Sequence, residues 1–202
     1  MNLNGEGEGI AMCGYISQPE GENSCGAYSL AYYLWETEKN SQKNDKEWVE
    51  EVYEQIKFEK TATAKAAAAG INLEYSNPDA MVTYLNNNYP LTAKMYMKGP
   101  ALKKLATLLD IQDRITEEDV LEVLKKEDTS NYAIIICSIN EADLALHYML
   151  VKKEGRDDFK LLDSANPVGD SDIVQWETFP IVGIDQIIIR QYKYIGAGIL
   201  IG

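Results

Sequence analysis

"LALHYMLVKKEGRDDFKLLDSANP", residues 144–167, carries the one histidine of the chain, His147, and decides how the second half folds. Two apolar segments flank the polar turn EGRDD, which is the pattern of a β-hairpin. A hairpin centred near Gly155 sets His147 opposite Asp163; one centred a residue later sets it opposite Ala165, with a carboxylate still close by. Either register brings an imidazole and a carboxylate together at the open end of the hairpin.

Working outward, YAIIICSI (132–139), LHYMLVKK (146–153), FKLLDS (159–164), IVQWETF (173–179), DQIIIRQYK (185–193) and YIGAGILIG (194–202) read as successive strands. They are short, rich in β-branched and aromatic residues, and separated by turn signals. Before residue 131 the period changes to that of helices. Residues 26–38 carry apolar side chains at helical intervals, and DKEWVEEVYEQIKF aligns Trp48, Val49, Val52 and Ile56 on one stripe. NPDAMVTYLNNNY offers Asn77 as an N-cap with Pro78 at the first helical position. TEEDVLEVLKK places Thr116 three residues before Asp119, with acids in the first turn and lysines in the last. PALKKLATLLD follows the Gly99-Pro100 break, and the alanines of TATAKAAAAG favour helix up to a stop at Gly70. Helices first and strands afterwards imply an α+β fold with an antiparallel sheet, the opening helix packed against it.

Composition narrows the function classes. The 202 residues are 46% hydrophobic and 25% charged, the balance of a globular chain long enough to bury a core. No apolar run approaches the roughly 20 residues that span a bilayer, so no membrane span is expected. Lys and Arg number 19 against 32 Asp and Glu, a net charge of -13, which argues against nucleic acid as a partner. The opening MNLNGEGEGIAMCGY has neither a basic segment nor an apolar one, so the cytoplasm is the default expectation. Three cysteines, Cys13, Cys25 and Cys137, make a poor disulfide framework. With His147 they are residue types that hold zinc, but structural zinc ligands come in pairs about two to four residues apart. These four are scattered along the chain, and no metal or other cofactor is expected.

Cys25, in NSCGAYSLAYYLWE, opens a helical run directly ahead of Gly26. Unpaired N–H groups and the positive end of the macrodipole at a helix N-terminus favour a thiolate over a thiol. The base it needs for nucleophilic chemistry can only be His147 if a histidine supplies it, and Asp163 could fix the imidazole tautomer, with Asn166 as the fallback. Gln18, behind the loop PEGENS, is placed to donate an amide N–H to an oxyanion beside the Cys25 backbone N–H. Cys13 also precedes a glycine, but no helical run follows it; Cys137, inside AIIICSI, reads as core. Tyr28, Tyr32, Tyr33 and Trp35 read as packing rather than as a substrate groove.

QPEGENSCGAYSLAY, LHYMLV and LLDSANP together resemble the papain-like cysteine peptidases, most of all their bacterial C39-like branch. The resemblance implies one papain-like domain over 1–202, mainly helical over about 1–130 and a β-sheet lobe over about 131–202. It implies Cys25 as nucleophile, His147 and Asp163 as its partners, Gln18 in the oxyanion hole, and a peptide or protein as substrate. The same four residues would equally serve a deamidase or an acyltransferase, and a silent relative would keep the fold to bind a partner.

Overall fold

The computed structural model describes residues 14–138, 145–155, 157–179, 188–189 and 192–202; Cys13 lies outside them. In chain order the elements are β1 (Tyr15–Ile16), α1 (Cys25–Glu36), α2 (Lys46–Ile56), α3 (Phe58–Thr61), α4 (Thr63–Ala68), α5 (Pro78–Asn88), β2 (Ala93–Met97) and α6 (Pro100–Leu109). Then come β3 (Ile115–Thr116), α7 (Val120–Lys126), β4 (Tyr132–Ser138), β5 (Leu146–Lys153), β6 (Phe159–Leu162), β7 (Ile173–Val174), β8 (Glu177–Phe179), β9 (Ile188–Ile189) and β10 (Tyr192–Ile201).

The helices start where local chemistry satisfies their free N–H groups. Asp45 accepts from Trp48 N ahead of α2, and Asn77 accepts from Asp79 N ahead of α5 with Pro78 in the first turn. For α7 the cap is Asp119, not Thr116: its carboxylate accepts from Leu121 N and Glu122 N, two donors that Thr116 is too far upstream to reach. The alanine stretch is broken at Ala62 into two short helices, and Gly70 follows in the left-handed region at φ 72°.

Among the described residues the main sheet runs β3-β2-β10-β4-β5-β6-β8, with β9 also paired to β10. The β2–β3 pair is parallel and the other pairs are antiparallel. IVQWETF is not one strand: β7 pairs with β1 in a separate two-stranded sheet, and only β8 joins the main one. β2, inside the mainly helical part of the chain, is a strand that the sequence pattern did not announce.

Both faces of the sheet are covered, which explains the near-continuous apolar runs of β4 and β5. Ile134, Ile136, Leu146, Tyr148 and Leu150 face a core shared with α1, α2, α5 and α6. Ala133, Ile135, Cys137, Met149 and Val151 face the opposite core, under α7. As expected, α1 lies against the sheet, where its main partner is β5, and its rings Tyr28, Tyr32, Tyr33 and Trp35 are buried there.

Candidate active site

Cys25 is the first residue of α1, after Ser24, and the helix N-terminus meets the start of β5. The Cys25 Sγ lies 4.0 Å from the Leu146 carbonyl oxygen, the residue before His147. Close approach here depends on Gly26: a Cβ at that position would stand 2.4 Å from Ser76 Cβ and 2.5 Å from its Oγ. Only the missing side chain lets α1 seat against the segment leading into α5.

The β5–β6 register fixes the other half of the site. Lys153 pairs with Phe159 and Leu150 with Leu162, so the hairpin is centred at residue 156, the later of the two registers. Extended by three residues, that ladder sets His147 opposite Ala165, and Asp163 becomes its diagonal neighbour, within side-chain reach. The His147 Nε2 lies 2.8 Å from Asp163 Oδ1, which also accepts from Ala165 N at 3.0 Å. Asn166 is turned away and donates to Glu177 Oε1 instead, so the carboxylate and not the fallback amide meets the ring.

Cys25, His147 and Asp163 are all about 95% buried. Burial alone would drive the imidazolium toward neutrality, but hydrogen bonding with Asp163 and Cys25 outweighs it and holds the His147 pKa up at about 9. Because Nε2 faces Asp163, Nδ1 is the nitrogen left for Cys25. A ring held in this way can take a proton from a thiol and return it to a leaving group. Cys137 pairs directly with His147 across the β4–β5 ladder, yet burial, with the negative charge nearby, pushes its thiol well up. It is a core cysteine, as its apolar surroundings suggested.

Gln18 is joined to the same region from the far side of the chain. Its backbone N–H donates to the Ser164 carbonyl at 3.0 Å, and its Oε1 accepts from Ser164 Oγ at 2.9 Å. Its Nε2 donates to the Glu22 carbonyl at 2.5 Å. The Glu22 carbonyl can only accept, so Nε2 must face it, and the Ser164 hydroxyl, which can donate, serves Oε1 on the other side of the amide. One of the two Nε2 hydrogens is engaged by Glu22, in the loop just before Cys25.

Two residues near the site were not anticipated. Ser164, fully buried, could have been suspected only from its place after Asp163. Tyr192 stacks on the His147 ring with centroids 4.1 Å apart and planes inclined by 12°, and it comes from a strand that is not adjacent to β5.

No family model matches the chain, and no curated protein matches it. Among solved structures, a double glycine motif protease from an AMS/PCAT transporter, in complex with the leader peptide, is similar over 93% of this chain and 89% of that one. The identity is 21% and the TM-score 0.50. The likeness extends to the fold: a papain-like α+β arrangement with helices packed on a large, mainly antiparallel sheet.

Proposed function

We propose that the chain is a cysteine peptidase-like hydrolase that cleaves a peptide or amide bond through a thioester on Cys25. His147 Nδ1 accepts the thiol proton, and the thiolate attacks the carbonyl carbon. The new C–S bond displaces the carbonyl π pair onto oxygen, where the Cys25 backbone N–H and the second Nε2 hydrogen of Gln18 receive it. Collapse of this intermediate breaks the C–N bond as the imidazolium gives its proton to the departing amine. His147 then deprotonates a water, which attacks the thioester, and breaking the C–S bond restores the thiol. Asp163 holds the ring in the required tautomer and stabilises its charged form.

The observation that carries this reading is the chain's one imidazole, buried, bonded to a carboxylate at 2.8 Å and facing a thiol at a helix N-terminus. Peptide is the substrate class we favour, because the similar solved structure holds a leader peptide. Among the described residues no helix is long and apolar enough to cross a membrane. The test is a peptide carrying a thiol-reactive warhead at its C-terminus. Mass mapping is expected to find one label on Cys25, lost in Cys25→Ala; label that persists and moves to Cys13 contradicts the assignment.

A further inference from the structure

The hydrogen bond from His147 to Asp163 fixes one atom of the imidazole but not the plane of the ring, because rotation about the bond that joins it to Cβ is soft. A ring tilted out of plane can keep Nε2 near the carboxylate and lose the alignment of Nδ1 with the thiol. The face of the ring therefore needs its own restraint. Tyr192 covers that face, nearly parallel, at a centroid distance of 4.1 Å. It is itself 8% exposed, part of the core beneath α7.

Sheet register shows how it gets there. β4 lies between β5 and β10, and Cys137 of β4 pairs with His147 on one side and with Tyr194 on the other. Side chains two residues apart share a face, so Tyr192 stands on the same face as Tyr194, Cys137 and His147. Its ring reaches across the intervening strand to His147, on the face where Cys137, the register partner of both Tyr194 and His147, is a small side chain. Between Tyr194 and Ala197 the β10–β4 register slips by a bulge that includes Gly196 at φ 77°, and a bulge of this kind re-aims the residues beyond it. Tyr194 is anchored by its hydroxyl, which donates to Asp119 Oδ1 at 2.8 Å.

We propose that Tyr192 is a positioning residue for the Cys25–His147 pair, its ring holding the imidazole in the plane that offers Nε2 to Asp163 and Nδ1 to Cys25. The proposal rests on the thiol–imidazole reading above. The stack also keeps water from one face of the ring and sets an aromatic π-face against the imidazolium. Among the described residues, the titratable groups around the ring include Asp163 after β6, Cys25 from α1, Cys137 from β4 and Tyr192 itself.

The test compares Cys25 alkylation by iodoacetamide, mapped by mass, at pH 6.5 and pH 10 in wild type, Tyr192→Phe, Tyr192→Leu, Tyr192→Met and His147→Ala. Folding is checked by circular dichroism. Tyr192→Phe keeps the ring and is expected to stay within about twofold of wild type. Tyr192→Leu and Tyr192→Met are expected to lose at least fivefold at pH 6.5 and nothing at pH 10, where alkylation no longer depends on the pair. In parallel, the His147 ring protons, a single set in this chain, are expected to lose the upfield ring-current shift that the stack produces. A fast wild-type reaction at pH 6.5 that both folded, ring-less variants retain overturns this proposal alone. A wild type that is slow at pH 6.5 and unchanged by His147→Ala overturns the thiol–imidazole reading, and this proposal with it.

Discussion

The two ends of α1 both meet β5 through a charged or chargeable pair, and they behave differently. At the C-terminal end Glu36 accepts from Lys152 Nζ at 2.7 Å and from the Tyr15 hydroxyl. A carboxylate there faces the negative end of the helix dipole, disfavoured by about 0.3–1 kcal/mol, so it depends on its donors. Burial raises the Glu36 pKa, but Lys152 and Tyr15 lower it by more, and Glu36 in turn raises that of Lys152. The lysine also sits over the Tyr132 and Trp176 rings. Both charges stay on across the neutral range, and this end is a clamp. At the N-terminal end the dipole favours an anion, and the partner on β5 is an imidazole that titrates at about 9. The same helix–strand contact is thus a fixed ion pair at one end and an exchangeable proton at the other.

The largest way to separate the ends is to remove each partner in turn. Asp163→Asn is expected to lower turnover on the order of 10³-fold, because the ring loses the group that fixes its tautomer. Lys152→Met is expected to leave turnover within a few-fold and to cost about 1.5–3 kcal/mol in urea unfolding, since it strands a partly buried carboxylate. A Lys152→Met variant as inactive as Asp163→Asn would erase the distinction.

The pH dependence of stability sharpens it. His147 binds its proton more tightly folded, at about 9, than unfolded, at about 6.5. Its contribution is therefore whole below about pH 6.5 and is lost as pH rises through 9. Urea unfolding at pH 6.5 and pH 9.5 should differ in that direction, and His147→Gln should flatten the difference. Turnover should fall along the same alkaline limb, because the imidazolium that protonates the leaving amine disappears.

Much of this was legible in the sequence, and the misses have physical causes. The Asn77 cap acts on its own helix, and the EGRDD hairpin is closed by its own turn, so local patterns found them. β2 is a five-residue central strand whose AKMYM carries little β-branched content, and only its partners β10 and β3 make it a strand. IVQWETF divides because Tyr15 and Ile16 capture Val174 and Ile173, a pairing across the length of the chain. Cys25, His147 and Asp163 could be named from residue type and order, whereas Tyr192 reaches the site only through a bulge and an intervening strand.

The smallest expected effect concerns the Gln18 amide. Ser164→Ala removes the hydroxyl that fixes the Gln18 orientation and is expected to slow acylation by about three- to tenfold, with the stability of the Glu36–Lys152 end unchanged. Single-turnover kinetics would read it.

On the proposed reading, the helix N-terminus and His147 together make Cys25 a nucleophile. The most direct measurement is the rate of Cys25 alkylation at pH 6.5, with and without His147. Rapid reaction is expected in wild type and at least a tenfold loss in His147→Ala, while Cys137 stays unreactive in both. Equal, slow alkylation of Cys25 in the two proteins would contradict it.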